Sequence, residues 1–259
     1  MTMQDDKMYA SRLFLYAVLP LMKEIGTEYG YFKGKTGVVQ LSVLLPEGEE
    51  GLHFLIEEGK VTTALGLHDR PDVWLRFTTQ DHFNAFFLGK TKKMPKITGF
   101  SHPLLLLATF RTLLRMSALL SAKTPPADEK TKELVVRLYF LLLSRGISRL
   151  NRMEHPQVRP WALTSPDRVY AFRVEGYPDT AAHLRVKAGK TKAARGQYTR
   201  SQPFFTMCFA DLDSALAILL QTGDFLSLTA QQKLMLEGAP EFGAKIGDLM
   251  QLVGSYIQG

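Results

Sequence analysis

The alternation of apolar and polar positions divides the chain into two runs of elements that follow the same order. In the first run, "MYASRLFLYAVLPLMKEI" (8–25) is apolar at helical spacing, with Pro20 as a kink or break. "GVVQLSVLL" (37–45) reads as a strand, and "LHFLIEEGKVTTALGL" (52–67) as a hairpin turning near Glu58-Gly59-Lys60. "PDVWLRFTT" (71–79) is a further strand. "TQDHFNAFFLGK" (79–90) is a short amphipathic helix that Thr79 caps and Gly89 ends. "MPKITG" (94–99) is a short strand. "SHPLLLLATFRTLLRMSALLS" (101–121) is a helix whose narrow polar stripe is Arg111, Thr112 and Arg115.

After "AKTPPADEKT" (122–131) the order returns. A helix covers 132–150, a strand 168–177, and a hairpin 182–198 turns at Gly189-Lys190. A strand at 202–210, a helix at 211–224, a strand at 231–238 and a helix at 239–257 complete the second run. Residues repeat along with elements. Arg12-Leu13 matches Arg137-Leu138, Gly59-Lys60 matches Gly189-Lys190, and Pro71, Asp81, Ala85 and Gly99 match Pro203, Asp213, Ala217 and Gly238. The expected fold is α+β with two domains, 1–122 and 132–259, joined by a linker at 123–131. Each is an antiparallel sheet of about five strands packed with helices.

Composition narrows the class. Hydrophobic residues are 46% and charged residues 22%, as in a soluble globular protein. Cys208 is the one cysteine, so no intrachain disulfide forms, and Asp5 and Asp6 stand where a signal peptide carries positive charge. The expected location is cytoplasmic. The apolar runs 104–120 and 134–143 do not read as bilayer spans. The first carries Arg111 and Arg115, and the second is too short.

The formal net charge of +7 points to anionic partners: a membrane surface, nucleic acid or acidic ligands. Its distribution is uneven. "GKTKKMPK" (89–96) holds four lysines and no acid, and 185–200 holds six basic residues and no acid. The candidate contacts to an anionic surface are Lys90, Lys92, Lys93, Lys96, Arg185, Lys187, Lys190, Lys192 and Arg195. Arg145, Arg149 and Arg152 share one helical face.

The triplet Gly-Lys-Thr occurs at 34–36, 89–91 and 189–191, but a phosphate-binding loop needs a glycine five positions earlier. Tyr29, Asn84 and Leu184 stand there instead. The six histidines show no metal-ligand spacing with one another or with Cys208, and Gly-x-Ser-x-Gly is absent. Cys208, within "FFTMCFA", reads as a buried small hydrophobe. The expectation is a protein that is not an enzyme, with no catalytic residues, no metal and no cofactor.

The element order resembles that of the sterol carrier protein (type 2) lipid-transfer family. The second copy carries the likeness in "AGKTKAARG…PFFTMCFADLDSALAILLQTGDF…QQKLMLEGAPEFGAKIGDLMQLVG", and the first in "EGKVTTALG…RPDVWLRFTTQDHFNAFFLGKTKKMPKITGFSHPLLLLATFRTLL". The shared features are a Gly-Lys hairpin turn, a helix ending at glycine, a lysine-containing strand and an amphipathic last helix. The resemblance implies an apolar tunnel between sheet and helices that takes fatty acids, sterols, phospholipids or acyl-CoA without chemistry. The chain departs from the family in its tandem arrangement and in Arg111 and Arg115, which interrupt the last helix of the first copy. Candidate wall residues are Trp74, Phe83, Phe86, Phe87, Phe110 and Leu114 in the first copy. In the second they are Phe205, Leu216, Leu220, Phe225, Phe242, Ile246, Met250 and Val253. Two other classes fit the sequence. One is nucleic-acid binding by the basic hairpin 185–200, with Tyr198 to stack on a base. The other is a ligand-free structural pseudo-dimer.

Overall fold

A computed structural model describes residues 3–258. The chain forms two compact units: residues 1–119 together with the last residues from Tyr256, and Leu120–Ser255. The division falls at the end of the helix expected at 101–121, and the residues read as a linker belong to the second unit.

The first unit opens with α1 (Met3–Leu13), a π-helical turn (Phe14–Val18), a 3₁₀ turn (Leu19–Leu21) and α2 (Met22–Glu28). Pro20 has no N–H to donate to the carbonyl four residues back. The helix stays continuous by widening its hydrogen bonding before the proline and tightening it at and after. Leu13, Leu15, Leu19 and Ile25 are fully buried, so this segment is a core element.

The sheet of the first unit comprises β1 (Gly37–Leu45), β2 (Gly48–Glu57), β3 (Lys60–Leu65), β4 (Val73–Phe77) and β5 (Lys96–Thr98), in the order β3-β2-β1-β4-β5. Helix α3 (Gln80–Phe87) follows β4, and α4 (Pro103–Leu120) follows β5. The second unit has α5 (Glu129–Arg152), α6 (Arg159–Thr164), β6 (Arg168–Val174), β7 (Tyr177–Lys187), β8 (Lys190–Arg195), β9 (Phe205–Phe209), α7 (Leu212–Leu219), α8 (Phe225–Ala230), β10 (Leu234–Glu237) and α9 (Pro240–Gln258). Its sheet runs β10-β9-β6-β7-β8, the same topology as the first.

The expected five-stranded α+β architecture is present in both units, but neither sheet is wholly antiparallel. β4 runs parallel to β1 and β9 parallel to β6, while the remaining pairs are antiparallel. Both hairpin turns are built alike. Glu58-Gly59 and Ala188-Gly189 have positive φ at both positions, the I′ geometry that suits the right-handed twist of the flanking strands. Glycine takes the second position because a left-handed backbone costs it nothing.

α5 is buried on nearly every side, from Leu134 through Ser144 without interruption, because it crosses its sheet over β7 and β8 and also meets α7. It is fixed to the sheet by polar pins. Asn151 Nδ2 donates to Gly189 O (3.0 Å) and Thr191 Oγ1 (3.1 Å), and Ser148 Oγ donates to Thr191 O (3.2 Å). It also touches α9: a Cβ at Gly146 would lie 2.4 Å from Val253 Cγ1.

Candidate functional site

In the first unit, alternation on β4 sends Val73, Leu75 and Phe77 to the face covered by helices. Thr79 caps α3 by accepting from His82 N. The helix then lays Phe83, Phe86 and Phe87 around Phe77, at ring separations of 5.0, 5.3 and 5.8 Å, and Phe14 of the π turn stacks on Phe87 at 5.5 Å. Edge-to-face contacts dominate this cluster, as ring quadrupoles favour. Ser11 Oγ donates to Asn84 Oδ1 (2.8 Å) and Asn84 Nδ2 to Lys7 O (2.9 Å), locking α3 to α1.

Three expected wall residues therefore gather: Phe83 fully buried, and Phe86 and Phe87 half-buried. Phe110 is half-buried on α4. Trp74 and Leu114 do not join them. Leu114 faces solvent. Trp74 shares its side of β4 with Arg76, on the opposite face of the sheet.

That opposite face is a polar network. Trp74 Nε1 donates to Ser42 Oγ (2.8 Å), which donates to Glu49 Oε1 (2.7 Å). Arg76 forks onto Glu49 (2.8 and 2.7 Å) and lies over the Trp74 ring at 5.3 Å. Burial pushes the Glu49 carboxyl up, but the hydrogen bonds from Arg76 and Ser42 outweigh it and hold the group below the usual carboxylate range. Gln40, almost fully buried, accepts from His68 N. His53 Nδ1 lies 3.0 Å from Gly66 O, and its ring is 5.2 Å from His68.

The second unit repeats this detail with a tyrosine in place of the second histidine. His183 Nδ1 lies 2.9 Å from Gly196 O, and its ring is 5.2 Å from Tyr198. A carbonyl only accepts, so Nδ1 carries the proton in both His53 and His183. The polar residues of this network were missed in the sequence because none belongs to a motif. The parity of Trp74 with Arg76 was the available signal.

In the second unit, Phe205, Leu216, Ile246 and Val253 are fully buried and Met250 nearly so. Leu220, Phe225 and Phe242 are half-buried. Phe242 of α9 meets Phe204 edge to face at 4.6 Å, and the Arg168 guanidinium lies 4.1 Å from the Phe204 ring and 4.6 Å from the Phe242 ring.

The basic residues form two separate groups. Lys90, Lys92, Lys93 and Lys96 are exposed on the chain between α3 and the end of β5. At the second hairpin, Arg185 pairs in register with Lys192 and Lys187 with Lys190, which puts these four cations on one face. They help line a cleft of about 780 Å³ that Asn151, Arg152, Glu154 and Arg159 complete. Arg185 forks onto Asp167 (2.8 and 2.7 Å) and Lys187 reaches the same carboxylate at 3.2 Å. The hydrogen bond from Arg185 above all holds Asp167 far below the usual range. Lys190, Lys192 and Arg195 are exposed. Asn151 Oδ1 is buried without a partner at the cleft wall.

Cys208 is fully buried in β9, and burial pushes its thiol up, which disfavours the thiolate. Among the described residues, no group of three or more His, Cys, Asp or Glu is placed to hold a metal ion.

The chain matches no protein-family model and no curated protein. Among solved structures it is similar to UbiJ-SCP2, a ubiquinone synthesis protein, at 16% identity over 43% of this chain and 96% of that one (TM-score 0.31). It is also similar to a conserved hypothetical protein of Thermus thermophilus, described as possibly a sterol carrier protein. That match has 18% identity over 45% of this chain and 87% of the other (TM-score 0.32). Each match spans less than half of the chain.

Proposed function

We propose that the chain binds lipids or other hydrophobic ligands of the fatty acid, sterol, phospholipid or acyl-CoA class, without chemistry, between sheet and helices. One observation carries this reading. In each unit, large apolar side chains on or beside the helices are only half covered: Phe86, Phe87 and Phe110 in the first, Leu220, Phe225 and Phe242 in the second. An acyl chain or ring system laid beside them would remove that surface from water, which stabilises by about 25 cal/mol per Å². Native mass spectrometry of gently purified protein, followed by titration with a fluorescent fatty acid, tests the reading. Co-purified lipid or saturable uptake supports it. A ligand-free protein that takes up no probe refutes it.

A second reading, nucleic-acid binding by the hairpin 185–200, has the basic cleft in its favour. Against it, Arg185 and Lys187 are engaged by Asp167. Steeply salt-dependent binding of RNA or single-stranded DNA would be its signature.

A further inference from the structure

The inward row of α4, which includes Leu105, Thr109, Thr112 and Met116, is buried, with Leu105 beside Gly37 and Thr112 beside Gly26 of the first unit. Its outward row is Leu104, Leu107, Arg111 and Leu114, and the three leucines are 69%, 53% and 69% exposed. Phe100, just before the helix, is 73% exposed and Met94 48%. Exposed leucines are ordinary singly, but three on one helical row, with Phe100 and Met94 exposed on the chain just before it, ask for a partner. The row from Leu104 to Leu114 is about 15 Å long.

Charge identifies the partner. Residues 82–127 contain seven Lys and Arg (Lys90, Lys92, Lys93, Lys96, Arg111, Arg115 and Lys123) and no Asp or Glu. Removing these seven from the total of 32 leaves 25 basic residues against 25 acidic ones, so the whole net charge of +7 resides in this one stretch. The expected polar stripe of Arg111, Thr112 and Arg115 is divided: Thr112 is buried on the inward row, and the two arginines lie on tyrosines. Arg115 sits 4.6 Å from the Tyr29 ring and donates to its hydroxyl (2.6 Å), and Arg111 sits 6.0 Å from Tyr31. Tyr29 and Tyr31 stack at 5.4 Å. Tyrosine with arginine beside an apolar row is the residue mixture that sits at headgroup level.

We propose that the first unit docks on anionic bilayers, with α4 lying in the interface. Phe100, Leu104, Leu107 and Leu114 enter the acyl boundary, while the lysines of 90–96 and Arg111 meet headgroup phosphates. By length and composition α4 could also cross a membrane. Its inward row is instead packed in the unit, including Thr109 and Thr112, each of which donates its hydroxyl within the helix. That is the arrangement of a helix lying flat. A second copy of the same face would set like charges, Lys90, Lys92, Lys93, Lys96 and Arg111, against their own copies in a two-fold contact. The proposal goes beyond the ligand reading and does not require the interior to hold lipid.

The test is flotation of the full chain with phosphatidylcholine vesicles, with and without phosphatidylglycerol, at low and high salt. Binding is expected only with the anionic lipid, and weaker in high salt. L104S/L107S alters exposed positions and should reduce binding roughly tenfold or more. K92Q/K93Q/K96Q should reduce it on the order of a hundredfold and flatten the salt dependence. Equal binding to both vesicle types, no binding, or unchanged binding by both variants overturns the proposal. So does resistance to alkaline carbonate extraction, which would mean a spanning helix. A dimer that L104S/L107S dissociates overturns it in favour of a second copy. Fatty-acid uptake measured on the parent and on the same variants separates the two readings: docking stands if the parent floats without taking up fatty acid, and the variants should lose flotation with uptake unchanged.

Discussion

Substituting alanine for Gly146 should destabilise the second unit even though it improves the helix. Within α5 the change removes an intrinsic penalty of about 1 kcal/mol. The added methyl would lie 2.4 and 2.9 Å from the two Cγ atoms of Val253 and 3.3 Å from its Cβ. Val253 is fully buried in α9, and a β-branched side chain in a helix has one strongly preferred rotamer, so it cannot turn aside. Relieving such an overlap by shifting a helix costs about 2–3 kcal/mol. The net loss is about 1–2 kcal/mol, read by urea unfolding. The melting temperature should fall by roughly 4 °C per kcal/mol for a unit of this size.

A double-mutant cycle makes the cause specific. V253A alone loses two buried methyls, about 2 kcal/mol. G146A/V253A should be no less stable than V253A, because the offending atoms are gone. The coupling is then about 2 kcal/mol. A stabilised G146A, or a coupling below about 0.5 kcal/mol, would refute the close crossing of α5 and α9. The result bears on function because this contact holds α9 in place, and α9 carries Phe242, Ile246 and Met250.

Three further outcomes are expected. F83A should cost about 3–5 kcal/mol in chemical denaturation, since Phe83 is fully buried against the rings of Phe14, Phe77 and Phe87. D211A removes the cap that accepts from Ser214 N (2.7 Å) and should cost about 1 kcal/mol at neutral pH. Burial pushes Asp211 up, but its bonds to Ser214 lower it overall. The contribution is therefore present above the unfolded value of about 3.9 and fades as pH falls below it, so the difference between D211A and the parent should close in acid. Cys208 should react with Ellman's reagent only when urea unfolds the second unit, because it is buried and its thiol is pushed up.

Much of the architecture is legible in the sequence where local chemistry is strong. Gly59 and Gly189 mark the two hairpins, Thr79 marks the start of α3, and period-two alternation marks most strands. Helices α6 and α8, of six residues each, are too short to show a period. The helix expected through Asp224 ends at Leu219, and Asp224 instead caps α8. The parallel pairings of β1 with β4 and β6 with β9 are illegible, because alternation reports which face a residue takes and not which strand lies beside it. The outward row of α4 was hidden for a related reason. A helix apolar on most sides gives no signal for which leucines, such as Leu114, face water.

Those parallel pairs also set a sequence of events during synthesis. β1, β2 and β3 are joined by tight turns and can pair as soon as they leave the ribosome, whereas Val39 must wait for Val73, and Tyr170 for Phe205. Until then one edge of β1 presents its unpaired amides and carbonyls to any passing strand. The interval between the emergence of β3 and that of β4, and its counterpart between β8 and β9, are therefore stages at which the nascent chain carries an open sheet edge and at which a chaperone would act.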